Sequence, residues 1–69
     1  MPYYNLDVEP GRVLSTAAKD RADALVIFGK ELGKQLTLDE QGGVATYMLD
    51  EWEQGPHWIN PTIPVYEIE

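Results

Sequence analysis

A proline that could act as a base stands near the start of the sequence, where Pro2 directly follows Met1. Removal of Met1 would leave Pro2 with a free secondary amine, and an ordinary α-amino group has a pKa of about 7.7–8.0. Burial in an apolar pocket or a nearby cation lowers the pKa of such a group, which then serves as a neutral base near neutral pH. The first candidate chemistry is therefore proton transfer between carbon and oxygen without any cofactor.

Nucleophilic and phosphate-binding chemistry have weak support in this sequence. The chain has no cysteine, and Ser15, its one serine, is better placed as the N-cap of a helix than as a nucleophile. Residues 29–34 resemble a phosphate-binding loop, but the spacing between their glycines is one residue short. Gln35 also occupies the position of the magnesium-binding hydroxyl. We therefore reject both kinds of site.

Acidic and aromatic side chains gather in the second half of the chain, at Asp50, Glu51, Trp52 and Glu53. Together with His57, such acids can hold a divalent cation, but they lack the spacing of a calcium loop, and a solvated acidic rim is the preferred interpretation. The aromatic residues here, Trp52 and Trp58, either wall a pocket with His57 or cap a small core. No metal ligands are assigned.

The net charge of −7 is unevenly distributed along the chain. All five basic residues precede Gln35, where acids balance them, and only acids follow. Nucleic acid is a poor partner for this chain, since its binding depends on Lys and Arg side chains that neutralise phosphates. The alternative to an enzyme is therefore a small acidic protein-binding module or inhibitor, which presents its carboxylates to a basic partner and imitates nucleic acid electrostatically.

Length and composition predict a single domain over residues 1–69 that associates with copies of itself. So short a domain buries a modest share of its surface, and small folds are commonly stabilised by disulfides, metals or oligomerisation. With no cysteine and a single histidine, oligomerisation is the remaining route. No stretch is apolar enough to cross a membrane and no secretory signal is recognisable, so we expect a cytoplasmic protein that makes no membrane contact.

The periodicity of apolar residues predicts a strand at 3–8, a helix over about 16–33 and a central strand at 44–52 that is covered on both faces. Ser15 is the predicted N-cap of the helix, and Gly33 is its predicted C′ residue, with an end near Leu36 as the alternative.

Residues 12–17 could instead form a strand that is hairpinned onto the first one. We prefer the helix start, because Ala17, Ala18 and Lys19 are better helix formers than strand formers.

The rest of the chain is predicted to contain a short strand near 36–38, a loop over 53–64 that carries three prolines, and a last strand at 63–68. Pro64 would confine that last strand to an edge, or would stand at its beginning. The predicted fold class is α+β: a βαβ unit with a right-handed crossover, a helix packed on a small sheet, and a short C-terminal strand.

Several features together resemble the tautomerase superfamily, specifically its short 4-oxalocrotonate tautomerase-like members. Pro2 opens a strand, and Gly11 and Arg12 stand at the turn that follows it. The run LSTAAKDRADAL resembles the helix of that family, and a second apolar strand ends in acids. The segment with His57 and Trp58 resembles a later loop of the family, so the resemblance spans residues 2–58.

The resemblance implies a cofactor-independent tautomerase or isomerase that acts on a small 2-oxo or enol carboxylic acid. Pro2 would then be the general base or acid that moves the proton. Arg12 would hold the substrate carboxylate, and Trp58, with His57 beside it, would supply an apolar wall. The resemblance also implies a homo-oligomer, a trimer or hexamer, without cofactor or metal. Residues 44–46 lack the second arginine that is frequent in the family, which implies a substrate other than a dicarboxylate, or a divergent member.

Overall fold

The computed structural model describes the backbone of residues 1–53 and 57–68, and the side chains of residues 1–52 and 63–68. In this part of the chain, one α-helix packs on a five-stranded sheet. The elements follow in the order β1 (Tyr3–Glu9), β2 (Arg12–Ala17), α1 (Arg21–Leu32), β3 (Leu36–Thr37), a 3-10 turn (Glu40–Gly42), β4 (Val44–Glu53) and β5 (His57–Glu67). The predicted α+β class is confirmed.

The first two strands form a hairpin, which corrects the predicted helix start near residue 16. Pro10 and Gly11 make the turn, and Gly11 has the positive φ of 83° that glycine adopts without strain. In β2, Leu14 and Thr16 are half-buried opposite Leu6 and Tyr4 of β1. The helix propensity of residues 17–19 is a local preference, and strand pairing over the core overrides it.

Helix α1 therefore begins five residues later than predicted, and its N-cap is Asp20 rather than Ser15. The Asp20 carboxylate accepts a hydrogen bond of 2.8 Å from the Asp23 amide, which satisfies one unpaired donor of the first turn. The predicted C′ residue is confirmed, because Gly33 adopts the left-handed conformation with φ 70°. After it, the Lys34 amide donates to the Gly29 carbonyl. A Cβ on Gly29 would lie 2.6 Å from the Lys34 carbonyl oxygen, so this glycine makes room for the helix end.

The predicted βαβ unit with its right-handed crossover is not confirmed, because its two strands, residues 3–8 and 44–52, lie in β1 and β4, which pair antiparallel. The strand order is β2-β1-β4-β5-β3, and each neighbouring pair is antiparallel. Helix α1 connects β2 to β3, which run in the same direction but lie at opposite edges of the sheet. The sequence order of a strand, a helix and a strand is thus present, but the parallel contact that defines a βαβ unit is not formed between the described strands.

Strand β4 occupies the centre of the sheet, as predicted, while β5 is longer than predicted. β5 begins at His57, so the backbone of residues 57–62 is extended where a loop was predicted. Pro61 falls in a register irregularity opposite β4. Pro64 pairs with Met48 of β4 on one side. β3 pairs only with Tyr66 and Glu67, so no described strand pairs with β5 on the other side at Pro64, as is usual for a proline in a sheet.

The core lies between α1 and one face of the sheet. Its largest fully buried side chains are Tyr4, Phe28, Leu6, Leu49 and Val65. Because side chains alternate along a strand, the neighbours of these core residues point to the opposite face of the sheet. No helix in the described chain covers that face, so the prediction that β4 is covered on both sides is not fulfilled in a single chain.

Candidate functional site: the helix-free face of the sheet

The helix-free face consists of the strand side chains that point away from α1. The strand registers arrange them in three rows that cross β2, β1 and β4: Ala17–Tyr3–Trp52, Ser15–Asn5–Asp50 and Val13–Asp7–Met48. Pro64 of β5 extends the third row. Apolar side chains on this face remain open to solvent, with exposed fractions of 43% for Tyr3, 51% for Val13 and 38% for Met48. Exposed apolar groups in the first and third rows, on either side of a polar row, indicate a surface suited to binding.

A shallow depression of about 410 Å³ lies over the first two rows of this face. It is lined by Tyr3, Tyr4, Asn5, Ser15, Thr16, Ala17 and Trp52. The small side chains of Ser15 and Ala17 leave the space, and the aromatic rings of Tyr3 and Trp52 stand beside it. The Ser15 hydroxyl donates a 2.6 Å hydrogen bond to the Asn5 side-chain oxygen, which orients both polar groups at the depression.

Negative charge is concentrated on the strands. β1 to β5 carry one Lys or Arg residue, Arg12, against six acids: Asp7, Glu9, Asp50, Glu51, Glu53 and Glu67. Their net charge is therefore −5. Residues 18–35, which contain α1, carry four basic and three acidic residues and have a net charge of +1. The described charged side chains in the three rows of the helix-free face are Asp7 and Asp50, so this face favours a cationic partner.

The covered side of the sheet holds a different kind of acid, Glu51, which is only 7% exposed. Arg21 of α1 donates to its carboxylate through Nη2 at 3.0 Å and through Nε at 3.2 Å, and the Tyr4 hydroxyl donates at 2.8 Å. Burial alone would raise the pKa of Glu51, but the hydrogen bonds from Arg21 and Tyr4 outweigh it and lower that pKa. Burial and the bond to Glu51 raise the pKa of Tyr4 to about 12. These three side chains are mutually satisfied and tie α1 to the sheet.

The site residues predicted from the resemblance do not form one cluster in the described chain. Pro2 is half-buried beside the depression, and its carbonyl accepts a 3.2 Å hydrogen bond from the Ala18 amide. Arg12 is exposed at the other end of the β1–β2 hairpin, where the strand register places its backbone opposite that of Glu9. Six residues of extended chain separate Arg12 from Ala18, a distance of about 20 Å. Pro2 and Arg12 of one chain therefore do not meet.

The other two predicted site residues, His57 and Trp58, have side chains outside the described part of the structure. Their backbone lies in β5, where Trp58 pairs with Trp52 and His57 pairs with Glu53. Trp52 pairs in turn with Tyr3 on its other side. The backbone of this segment thus lies at the end of the sheet that also holds Pro2.

The sequence contained a signal for the helix-free face that the predicted helix start obscured. The alternation in residues 3–8 correctly separates Tyr3, Asn5 and Asp7 from the buried residues of β1. The contribution of β2 follows from the alternative in which residues 12–17 form a hairpin strand, whereas the preferred helix start places Ser15 at a helix cap. The turn chemistry of Pro10 and Gly11 between two alternating runs was the signal for the hairpin.

Within the described residues, no three His, Asp or Glu side chains are grouped so that they could hold a metal ion, and no helix is long and apolar enough to cross a membrane. Fold and surface together define an α+β protein with one helix on an antiparallel sheet and an acidic, partly apolar open face. No protein-family model, curated protein or solved structure matches this chain.

Proposed function

We propose that this chain is a small acidic protein-binding module whose helix-free face binds a basic protein partner. The observation that carries the proposal is the combination of three exposed apolar side chains, Tyr3, Val13 and Met48, with rows in which the described charged side chains, Asp7 and Asp50, are acidic. Interfaces commonly place apolar and aromatic contacts at their centre and use complementary charge to orient the partners.

The separation of charge between the two layers supports the same partner. Two of the basic residues outside the strands are already engaged: Arg21 with Glu51 and Lys34 with Glu67, at 3.0 Å and 2.9 Å. Among the described side chains, the three rows of the helix-free face contain no Lys or Arg. A basic partner is therefore attracted more strongly to the helix-free face than to α1.

The test is a binding titration with an oligoarginine peptide, followed by amide chemical shifts. We expect the amide chemical shifts of residues in the three rows of the helix-free face to change, and we expect the affinity to fall as the salt concentration rises. Asp7→Asn should weaken binding, whereas Glu31→Gln, an exposed acid on α1 with the same charge change, should leave it unchanged. Equal weakening by both variants, or shifts centred on α1, would contradict the proposal.

A second candidate, the cofactor-independent tautomerase, is supported by one observation. The register brings Tyr3 and Trp52 beside the depression, next to Pro2 and the backbone of Trp58. Arg12 of the same chain lies too far away to hold a substrate carboxylate there, so a neighbouring chain would have to supply the cation. This candidate therefore requires the homo-oligomer, the trimer or hexamer, that the resemblance implies.

Three measurements test the tautomerase proposal. Intact mass gives the state of the N-terminus, light scattering gives the oligomeric state, and enol ketonisation gives the activity. We expect loss of Met1, a multimer, and activity that Pro2→Ala abolishes. A Met1-trimmed protein without ketonisation activity, or a monomer with full activity, would contradict it. For either function we propose a cytoplasmic location, in line with the absence of cysteine.

A further inference from the structure

The outer edge of β2 presents a regular set of backbone hydrogen-bonding groups. In an antiparallel pair, facing residues alternate between those that exchange hydrogen bonds and those that do not. The Ala18 amide donates to the Pro2 carbonyl, so these two residues form a bonded pair. Along the register of these two strands, the non-bonded pairs are therefore Tyr3–Ala17, Asn5–Ser15 and Asp7–Val13. The amide and carbonyl groups of Val13, Ser15 and Ala17 therefore point away from β1, toward the open edge.

The same three residues of β2 contribute side chains to the helix-free face. Ser15 and Ala17 line the depression, and Val13 is exposed beside it. A strand that bonded to this edge would pair with Val13, Ser15 and Ala17, and its residues directly opposite them would point to the same face. Backbone bonding and side-chain recognition would thus be available at one place.

The edge lacks the usual protection against strand addition. Natural edge strands are commonly protected by proline, by charged side chains, by bulges or by very short length. Residues 13–17 of β2 contain neither a proline nor a charged residue, and their register with β1 is regular. The opposite edge of the sheet is different, since β3 has only two residues. This contrast singles out β2 as the edge open to an added strand.

Charge identifies the chemistry of the added strand. The nearest acids in the rows of the face are Asp7 and Asp50, and Asp20 follows β2 along the chain. Lys19 stands next to Asp20, which balances it, and Arg12 lies at the far end of β2. A second copy of this chain would bring a further net charge of −7 toward these acids, whereas a basic segment would be attracted to this part of the molecule.

We propose that β2 binds an extended basic segment of a partner protein as an added antiparallel strand, with one Lys or Arg side chain crossing Ala17 into the depression beside Tyr3 and Trp52. This inference rests on the proposed function and names how the partner is held. An aromatic ring attracts a cation placed over its face, and the small Ala17 side chain leaves the path open. Recognition by strand addition takes affinity from backbone bonds and specificity from alternate side chains.

The experiment titrates a peptide of alternating threonine and arginine into the full chain and follows amide exchange residue by residue. We expect slower exchange at the amides of Val13, Ser15 and Ala17. Ser15→Pro removes one outward donor without removing a bond to β1, and it should weaken binding about tenfold. Ser15→Ala is the matched comparison, since it loses the same bond to Asn5 but keeps the amide, so the loss of affinity that Ser15→Pro shows beyond Ser15→Ala measures the backbone bond. A second peptide carries N-methyl groups on the amides that would face β2. It tests the same backbone hydrogen bonds in the wild-type protein.

Each outcome has a distinct meaning. Equal affinity of the N-methylated and unmethylated peptides, with shifts still on the helix-free face, would overturn strand addition but leave the basic partner in place. A threonine–glutamate peptide that binds equally well would overturn the cationic subsite. Failure of every basic peptide to bind would overturn the proposed function as well. Protection of the β2 amides that rises with protein concentration alone would assign the edge to a second copy and overturn the proposal.

Discussion

The two faces of the sheet are formed by the same strands but place their acidic side chains in opposite environments. On the covered face, the acid Glu51 is buried, bonded to Arg21 and Tyr4, and held in place by α1. On the helix-free face, the acid Asp7 is exposed beside exposed apolar neighbours. Because side chains alternate along each strand, a single register produces both environments. The difference teaches that the two faces are distinguished by whether their acids are buried and bonded, rather than by acidity itself, and that the face with the exposed acid is the one proposed to bind a partner.

The largest expected contrast compares two adjacent residues of β4 that point to opposite faces. Leu49 is fully buried and Met48 is 38% exposed. Leu49→Ala should lower the free energy of unfolding by about 3 kcal/mol, because it leaves a cavity under α1. Met48→Ala should change it by less than about 0.5 kcal/mol. Urea denaturation measures both, and similar losses for the two variants would mean that the helix-free face is covered in solution.

The next contrast compares the ion pair inside the covered face with one at the surface. Arg21→Met leaves the buried Glu51 carboxylate without its cation, and since Arg21 is itself partly exposed, we expect a loss of about 2 kcal/mol. Lys34→Met breaks the exposed pair with Glu67, which solvent screens, and should cost much less. Thermal unfolding of both variants provides the comparison. A larger loss for Lys34→Met would reverse the assignment of which pair anchors the helix.

The pH dependence of stability should follow the same cluster. The folded protein has a lowered pKa at Glu51, so the carboxylate contributes stability above the unfolded pKa of about 4.3, and this contribution disappears as the pH falls below it. Glu51→Gln should flatten the acid limb of the stability curve. Asp7→Asn, which changes an exposed acid, should leave the loss of stability at low pH unchanged. If Asp7→Asn also reduced this loss, the assignment to Glu51 would be contradicted.

The smallest expected effect concerns Tyr4 at high pH. Its pKa is raised from about 10 to about 12, so its protonated form stabilises the fold fully below pH 10, and this contribution is lost as the pH rises through 12. Tyr4→Phe should remove this alkaline loss while lowering stability near neutrality by about 1 kcal/mol through the missing bond to Glu51. A phenol absorbance titration of the folded protein checks the raised pKa directly.

Local patterns in the sequence predicted the elements but not how they pair. The alternation of residues 3–8 and the glycine at position 33 gave a strand and a helix end that the structure contains. The helix start was misplaced because the alanines at 17 and 18 favour a helix locally, whereas β2 gains its stability from pairing with β1. The antiparallel order of distant strands depends on contacts between β1 and β4, which lie more than thirty residues apart and leave no local pattern.

The candidate site was only partly predictable for the same reason. Pro2 was identified from its position, and Trp52 from its aromatic surroundings, and both lie at one end of the sheet. The depression between them depends on Ser15 and Ala17 lying next to β1, which follows from the hairpin and not from either residue alone. A site made by strands that are distant in sequence becomes visible only once their register is known.

The charge difference between the strands and the segment that contains α1 also affects how the molecule is oriented as it approaches a partner. The strands have a net charge of −5 and residues 18–35 have a net charge of +1, so a basic surface attracts the two segments unequally. Such an imbalance acts before any contact is made and favours approaches in which the strands come first. Orientation during the approach is thus a property of this fold as well as affinity after it.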